Sequence, residues 1–326
     1  MKIAITGATG FLGSNLTRAL QLEGHTIHAL VRDEQKMEGL IEPDFFVTAD
    51  INDHDALTKL FTGVDAVIHT VSNFRVVKGT DESYYQTNQQ GTESALKIAK
   101  ACGVKRFIHT STIGVHGDVK QTPAKEDSPL NPGDLYQSTK LLAEEACRKY
   151  VEEGDMEVII VRPTSQYGPG DLRMLKMFRM IKNQRFLLIG QCTENFHAVY
   201  IDDLVSGYQR ILETSNLNGQ IFFIGGERHV SLQKYIDTAA RALGVKKPAI
   251  RVPYWPVHFA GWLCELVCKP LGIEPPLHRR RVKFFKNNRA FNISRAKRVL
   301  GYAAQVDLDE GMRRTVDWYR SEGLLD

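Results

Sequence analysis

The chain has 326 residues, of which 43% are hydrophobic and 25% charged, the composition of a globular protein with one large or two unequal domains. Lysine and arginine number 42 and aspartate and glutamate 38, so the formal net charge is only +4, which argues against a protein that coats nucleic acid. Five scattered cysteines do not form a disulfide framework and instead predict reduced thiols in a cytosol.

Strand and helix signals alternate through the first half of the chain. The predicted strands are residues 3–6, 26–31, 45–48, 64–70, 106–111 and 157–161, with a further strand at 221–224. The predicted helices are residues 11–22, about 83–101 and 231–243, the last with Ser231 as its N-cap, and residues 141–151 are predicted as part of a further helix. This alternation predicts right-handed βαβ units and an α/β fold with a doubly wound parallel sheet.

Three glycines stand between the first predicted strand and the first predicted helix, within residues 6–13 (TGATGFLG). This spacing is related to the dinucleotide-binding fingerprint, in which glycines let the backbone approach a pyrophosphate and a helix N-terminus faces the anion. A plain strand–helix turn is the alternative. We predict that the loop binds a dinucleotide through these residues: Gly7, Thr9, Gly10, Phe11, Leu12 and Gly13.

The end of the second strand indicates which dinucleotide is bound. Sites for NAD usually have an acid there for the ribose 2′-hydroxyl, whereas sites for NADP favour an arginine. Arg32 stands in that position, so we favour NADP over NAD, with Arg32 paired to the 2′-phosphate. The alternative is a solvated Arg32, with Asp33 bonded to the ribose. Asp50 and Ile51, after the third strand, form a candidate adenine clamp or a structural turn.

Tyr136 and Lys140 are four residues apart and share one face of a helix. A phenol with a pKa of about 10 is a weak base at neutral pH, but a neighbouring ammonium favours the phenolate. Tyr136 could then exchange a proton with a secondary alcohol or ketone while hydride moves to or from nicotinamide. A hydroxyl of residues 110–112, at the end of the fifth strand, could hold the substrate oxygen. A surface pair is the alternative.

Beyond residue 165 the alternation gives way to turns, one strand and helices. We therefore expect a Rossmann-type dinucleotide-binding domain at residues 1–165, which also receives parts of 198–225, and a smaller, mostly helical, discontinuous substrate lobe at 166–326. No secretory segment is evident, and prolines and charges interrupt the most apolar stretch, 252–273. We predict a cytoplasmic protein without a membrane span.

Several motifs occur together in the order found in one enzyme family. They are TGATGFLG (6–13), DI (50–51), IHT (68–70), N-x-x-GT (88–92), HTSTIGVHG (109–117), YQSTK (136–140), RPTSQYGPGD (162–171) and VYIDDL (199–204). The chain therefore resembles an extended short-chain dehydrogenase/reductase of the NAD-dependent epimerase/dehydratase family. The resemblance implies that the catalytic set is Thr112, Tyr136 and Lys140, with Lys140 also holding the nicotinamide ribose. It places these residues along the cofactor: Thr70, Asn88, Thr110 and Pro163.

Departures from the family pattern bear on the substrate. Sugar-nucleotide dehydratases have an acidic pair after the catalytic threonine, where this chain has Ile113-Gly114. Many sugar-nucleotide epimerases have an arginine for the substrate pyrophosphate where this chain has Phe196, and Val71-Ser72 replaces the usual alanine pair. These differences weaken the case for a nucleotide-sugar substrate without excluding it. Ser72 and Phe196 are predicted substrate residues.

Two features of the second half concern the substrate and the surface. The segment from Trp255 to Leu271 is unusually apolar. Core packing is one explanation, and a lipophilic pocket or a contact with a membrane surface is the other. The tail at 275–302 is similar to that of 3β-hydroxysteroid and sterol-carboxylate dehydrogenases, which supports the lipophilic alternative. Six basic residues cluster within 279–289, either as a solvated helix face or as a phosphate-binding patch that includes Arg281.

Three functions remain open at this stage. The first is an NAD(P)-dependent oxidoreductase for a secondary alcohol or ketone, with steroid-like or isoprenoid-like compounds among the candidate substrates. The second is a sugar-nucleotide epimerase, and the third a non-catalytic protein that senses a dinucleotide, which the intact Thr112, Tyr136 and Lys140 argue against. We expect a small-molecule substrate and a homodimer. No metal-ligand spacing or nucleic-acid-binding motif is present, so we predict neither a metal nor a nucleic-acid partner.

Overall fold

The structure, a computed structural model, describes residues 1–74, 81–268, 277 and 279–325, with residues 280 and 281 described in their backbone only. Two predictions therefore lie partly outside the described residues. They are the role of the Arg281 side chain and the last part of the apolar segment that ends at Leu271.

The strands of the described chain are short, as is usual for a sheet covered on both faces. They are β1 (Lys2–Thr6), β2 (Thr26–Val31), β3 (Phe45–Thr48), β4 (Ala66–His69), β5 (Arg106–Thr110), β6 (Glu157–Pro163), β7 (Ser165–Tyr167), β8 (Leu188–Ile189), β9 (Asn195–Phe196), β10 (Ala198–Tyr200), β11 (Ile221–Ile224), β12 (Val230–Ser231) and β13 (Arg251–Val252).

The helices alternate with the first strands, as the sequence predicts. They are α1 (Phe11–Leu22), α2 (His54–Phe61), α3 (Asp81–Tyr84), α4 (Gly91–Ala101), α5 (Leu135–Glu153), α6 (Leu175–Lys182), α7 (Ile201–Glu213), α8 (Leu232–Leu243), α9 (Tyr254–Cys268), α10 (Arg279–Lys283), α11 (Ser294–Leu300) and α12 (Leu308–Ser321). The long helix predicted near 83–101 is interrupted, because a π-helix at Tyr85–Gln90 separates α3 from α4.

Seven strands form one parallel sheet in the order β11-β6-β5-β4-β1-β2-β3. The chain builds outward from β1 in one direction through β2 and β3, and in the other through β4, β5 and β6. This is the doubly wound, Rossmann-type sheet that the alternation predicts. Its strand order reverses between β1 and β4, and ligands of such sheets bind at this point, at the carboxyl ends of the strands.

Successive side chains of each strand point to opposite sides, and both faces of the sheet are buried except at the edge strand β3. Ile3 and Ile5 of β1 pack in the core that contains α1 and α7, whereas Ala4 packs in the core that contains α2 and α4. The larger core continues into the second half of the chain, where α8 and α12 pack together. β11 pairs with β6, so a strand from the second half completes the sheet. The division into two lobes stays a prediction.

Capping residues set the ends of the helices that matter for the site. Asp134 accepts a hydrogen bond from the Gln137 backbone N–H at 2.9 Å, so α5 begins at Leu135 and contains Tyr136, Lys140 and the segment 141–151 predicted as part of a helix. Gly154 ends α5 in the left-handed conformation, with φ of 75°. Ser231 caps α8 as predicted, accepting from the Lys234 N–H at 3.1 Å.

A buried ion pair connects the end of the sheet to α5. Arg162 of β6 and Glu144 of α5 are both fully buried, and two hydrogen bonds of 2.8 and 2.6 Å join them. Arg162 also donates to His116 Nε2 and to the Glu126 carbonyl, each at 2.9 Å. Ser111, which follows β5, donates to Glu144 at 2.5 Å. The pair thus fixes α5 against the ends of β5 and β6.

We expect Arg162→Met to lower the free energy of unfolding by about 3–5 kcal/mol, because it leaves the Glu144 carboxylate buried without its partner. Urea denaturation at neutral pH measures the loss. Arg210→Met is the matched control, since Arg210 forms a 3.1 Å ion pair with Glu213 in which both side chains are more than half exposed. That control should lose less than about 1 kcal/mol. Equal, small losses in both variants would contradict the structural role of Arg162.

Candidate active site

The glycine loop between β1 and α1 is closely packed. Gly7 has φ of +77°, and a Cβ atom there would lie 2.8 Å from the Thr70 hydroxyl. A Cβ on Gly13 would lie 2.2 Å from the Gly7 carbonyl oxygen, so α1 can approach the loop only if this residue is glycine. The Thr70 hydroxyl donates to the Thr6 carbonyl at 2.7 Å and joins the loop to the end of β4.

The N-terminus of α1 is open to a ligand. Gly10 is its N-cap and provides no side chain to bond the first backbone N–H groups of the helix. Such groups, together with the helix dipole, bind a pyrophosphate in dinucleotide sites. Leu12 is buried in the core, so it can offer a ligand only its backbone. Phe11 lies beneath the Arg173 guanidinium, 4.9 Å from the ring centroid, and Thr9 is partly exposed in the loop.

The residues predicted to surround the adenosine lie at the ends of β2 and β3. Arg32 is exposed and forms no ion pair with any residue that the structure describes. Asp33 instead accepts a hydrogen bond from the Gln35 N–H at 3.1 Å and caps the short turn that follows. Asp50 accepts from the backbone and side chain of Asn52, and Ile51 is buried.

Three hydroxyls follow one another at the end of β5, and their surroundings differ. The Thr110 hydroxyl lies 2.7 Å from the Tyr208 hydroxyl, and the Ser111 hydroxyl donates to Glu144. The Thr112 oxygen accepts from the Gly114 N–H at 3.0 Å, and among the described contacts its proton is not donated elsewhere. Thr112 therefore has a hydroxyl proton available to a ligand, and its role in bonding the substrate oxygen stays a prediction.

The turn that Thr112 begins packs against the helix that contains Tyr136. A Cβ on Gly114 would lie 2.9 Å from Cγ of Gln137, so the turn packs against the first turn of α5 beside Tyr136. The Tyr136 ring is partly buried and meets the edge of Phe74, with centroids 4.9 Å apart. The predicted acid–base residue thus lies at the carboxyl edge of the sheet.

Lys140 lies one turn further along α5 and is fully buried. Its Nζ has no hydrogen-bond partner among the described residues, and burial lowers the pKa of the ammonium to about 8. A buried ammonium without acceptors is costly, so a ligand that brings hydrogen-bond acceptors fits this position. The hydroxyls of a nicotinamide ribose are such acceptors.

Two buried histidines lie within electrostatic reach of Lys140. His69 of β4 stacks on His109 of β5 with ring centroids 5.6 Å apart. Burial, and then the charge of Lys140, lowers the pKa of His69 to about 3 and that of His109 well below its usual value. Both rings are therefore neutral at physiological pH and leave Lys140 as the local positive charge. Sequence analysis assigned them no role, although both lie within recognised motifs.

Asn88 is fully buried in the π-helix between α3 and α4. Its carbonyl oxygen accepts from the Asn73 N–H at 2.7 Å, and its amide donates to the Thr139 hydroxyl at 3.0 Å. It thereby fixes the segment after β4 against α5, next to Lys140. Its predicted place beside the nicotinamide stays a prediction, and π-helical turns of this kind are frequent at functional sites.

The remaining predicted residues lie in different surroundings. Pro163 is the buried last residue of β6, and Ser72 is exposed in the segment after β4. Phe196 of β9 is only 3% exposed, and its ring packs against Tyr235 and Phe284, with centroids 4.5 and 5.6 Å apart. Phe196 therefore places a buried aromatic ring at the position where many epimerases of the family have an arginine.

Arg289 is a residue whose individual importance the sequence did not reveal. Its guanidinium lies 4.8 Å from the Phe284 ring centroid and forms no ion pair with a described residue. Burial lowers its pKa to about 10, and it lies near enough to Asp134, the cap of α5, for their charges to interact. Arg289 is thus a positive group near the end of α5 that contains Tyr136.

These residues fit a nicotinamide dinucleotide. The glycine loop would hold the pyrophosphate, and Lys140 would hold the ribose and favour the Tyr136 phenolate. Thr112 and Tyr136 would bond the substrate oxygen, and Tyr136 would move the proton. The bound cofactor supplies or accepts the hydride. Within the described residues no group of histidine, cysteine or acidic side chains is placed to hold a metal ion.

Comparison with known proteins decides the family. The model of the NAD dependent epimerase/dehydratase family matches residues 3–225. The chain belongs to this family. It is accordingly an enzyme of the extended short-chain dehydrogenase/reductase group, which comprises nicotinamide-dependent dehydrogenases, reductases and epimerases.

Relatives of several activities resemble the chain over nearly its whole length. It is 28% identical to a putative dihydroflavonol 4-reductase of Synechocystis, over 98% of this chain and 95% of the relative. It is also 28% identical to a decarboxylating sterol-4-alpha-carboxylate 3-dehydrogenase of Candida albicans, over 98% of each. The crystal structure of UDP-glucuronic acid 4-epimerase from Bacillus cereus in complex with NAD has the same fold, with a TM-score of 0.80, 24% identity and 99% coverage of both chains.

We expect cofactor binding to weaken as the pH rises above about 8, because Lys140 then loses its proton in the free protein and binding must restore it. The dissociation constant for NADPH should rise about tenfold between pH 8 and pH 9.5. Titration calorimetry in two buffers of different ionisation enthalpy measures both the affinity and the proton taken up.

Lys140→Met should bind weakly without this pH dependence, whereas Lys149→Met, an exposed lysine of the same helix, should behave as wild type. A wild-type affinity that is constant over this pH range, without proton uptake, would show that Lys140 does not bond the cofactor.

Proposed function

We propose that the protein is an NADP-dependent dehydrogenase or reductase for a largely apolar secondary alcohol or ketone, of steroid or isoprenoid character. The observation on which the substrate class rests is the buried ring of Phe196, which packs against Tyr235 and Phe284 where many epimerases of the family have an arginine for the substrate pyrophosphate. The similarity to a sterol-carboxylate dehydrogenase supports the same class. Tyr136 and Thr112 bond the reacting oxygen, and Lys140 holds the ribose.

The preference for NADP rests on the end of β2. Arg32 is exposed and without an ion-pair partner among the described residues, so it is available to a 2′-phosphate. Asp33, which would have to serve a 2′-hydroxyl, is engaged as a turn cap and lies 3.5 Å from Lys36.

We expect wild type to bind NADPH more tightly than NADH by about tenfold, because a charge-assisted hydrogen bond to the 2′-phosphate is lost with NADH. Arg32→Asp should reverse the preference, since it removes the cation and supplies a ribose acceptor. Fluorescence titration with both cofactors measures the ratio, with Arg18→Asp, an exposed arginine of α1, as control. A wild-type preference for NADH would refute the assignment of NADP.

A second candidate is a sugar-nucleotide epimerase, and Arg289 is the observation that favours it. Its guanidinium has no ion-pair partner among the described residues, and its backbone pairs with that of Phe196 in an isolated β-bridge. Arg289 therefore offers a substrate diphosphate the cation that Phe196 does not provide. An epimerase returns the same hydride to the other face of the substrate and must retain its cofactor between the two half-reactions. Tightly held NAD in the purified protein would therefore favour this candidate.

We expect thermal-shift screening in the presence of cofactor to favour apolar ligands. A ligand at 100 times its dissociation constant stabilises the protein by about 2.7 kcal/mol, which gives a clear rise in Tm. Steroid and terpenoid alcohols and ketones should raise Tm, whereas UDP and UDP-sugars should not. A rise with a UDP-sugar that Arg289→Met abolishes and Arg210→Met retains, together with none from the apolar ligands, would establish the epimerase instead.

We also infer a cytoplasmic location and a homodimer. The five cysteines are all free thiols, as expected in a reducing compartment. Gel filtration with light scattering tests the dimer, which rests on the family resemblance alone.

A further inference from the structure

Helix α9 has an apolar stripe that faces solvent. The exposed side chains recur at the spacing of one helix face, i, i+4, i+7, i+8, i+11 and i+12. They are Trp255 (68% exposed), Phe259 (58%), Trp262 (40%), Leu263 (42%), Leu266 (58%) and Val267 (60%). Exposed apolar surface of this extent marks an interaction site.

The opposite face of α9 contains its charged residue. Gly261 is the one buried residue of the helix, and Glu265 bonds to both the backbone and the guanidinium of Arg279 in α10, at 2.7 and 2.9 Å. A helix on the surface of a globular protein normally buries its apolar face and exposes its charges. In α9 the apolar side chains are exposed and the charged side chain is bonded to α10, so the stripe fits an apolar environment outside the protein.

Positive charge lies beside the stripe. Residues 279–289 contain six lysines and arginines and no acidic residue. Lys283 and Lys286 are exposed, and the Lys286 ammonium lies 4.7 Å from the Trp255 ring centroid. The Arg279 charge is partly neutralised by Glu265, which leaves the lysines as the free positive groups on the described part of this surface.

We propose that α9 and α10 form a docking surface for an anionic lipid bilayer. The stripe of α9 enters the interface between headgroups and acyl chains, with the helix lying parallel to the membrane, and Lys283 and Lys286 contact the anionic headgroups. Tryptophan favours this depth, because its ring is amphipathic. The proposal goes beyond the proposed function and does not depend on the identity of the substrate.

Two other occupants fit the observations less well. A second copy of the chain would bring the same patch of each subunit together, so two basic segments would face each other across a two-fold interface. Insertion across the bilayer would need a longer helix, since 15 residues extend about 22 Å, against about 30 Å of hydrocarbon. No helix in the described ranges has the length and hydropathy that crossing a membrane requires.

Co-sedimentation of the full chain with vesicles tests the proposal. Binding should be strong to vesicles of equal parts phosphatidylglycerol and phosphatidylcholine, weak to phosphatidylcholine alone, and reduced by salt, which screens the headgroup charge. Lys283→Gln should weaken binding to the anionic vesicles about fivefold and leave the residual binding to phosphatidylcholine unchanged.

Matched double substitutions separate the stripe from general surface hydrophobicity. Phe259→Ser with Leu266→Ser should weaken vesicle binding about tenfold or more, since both side chains leave the apolar phase. Phe46→Ser with Leu22→Ser, which are exposed on β3 and α1, should bind as wild type. Circular dichroism and cofactor affinity should be unchanged in both double variants, because all four side chains are exposed.

Lipids brominated on the acyl chain distinguish insertion from self-association. They should quench wild-type tryptophan fluorescence. Trp255→Phe with Trp262→Phe should bind vesicles with little quenching, since the remaining tryptophan, Trp318, is in α12 and packs against the core. The proposal is wrong if anionic vesicles do not bind the protein, or if Phe259→Ser with Leu266→Ser binds them as wild type. It is also wrong if that variant converts a dimer to a monomer in buffer and vesicles bind neither form.

Discussion

The site depends on the buried ion pair between Arg162 and Glu144. Glu144 is on the same helix as Tyr136 and Lys140, and it also accepts the Ser111 hydroxyl, next to Thr112. Arg162 of β6 and Ser111, which follows β5, are thus bonded to one carboxylate of α5. Because a buried pair cannot shift without exposing a charge to apolar surroundings, it fixes the helix of Tyr136 relative to the segment of Thr112. The geometry of the proposed catalytic residues therefore depends on the protein interior as well as on the loops around it.

A second feature is one buried positive charge whose hydrogen bonds the described residues do not satisfy. Lys140 is buried beside two histidines that are neutral, and its ammonium has no acceptor among the described residues. The neutral rings let Lys140 keep its proton near neutral pH. In the proposed function a ribose completes the hydrogen bonds of this group. Cofactor binding and the activation of Tyr136 would then both result from the same buried charge.

Much of the sheet and of the cofactor loop could be predicted from the sequence, because glycine spacing, β-strand runs and the Tyr–Lys pair are local patterns. The Arg162–Glu144 pair could not, since its members are 18 residues apart and their burial is a property of the assembled sheet. The exact start of α5 could not be assigned from the sequence, because the cap at Asp134 precedes the apolar pattern. Core packing was one explanation for the apolar segment from Trp255, but α9 exposes it, which only tertiary contacts determine.

The most direct measurement follows deuterium from NADPH labelled at C4, as each of its two stereoisomers, into the alcohol formed from an apolar ketone. The account predicts one deuterium per product from one of the stereoisomers, and a rate about 10²–10⁴-fold lower for Tyr136→Phe with cofactor affinity within a few-fold of wild type. Deuterium transfer by Tyr136→Phe at the wild-type rate would contradict the central claim. The claim would also be contradicted if no ketone tested gave a deuterium-labelled alcohol while a UDP-sugar was epimerised.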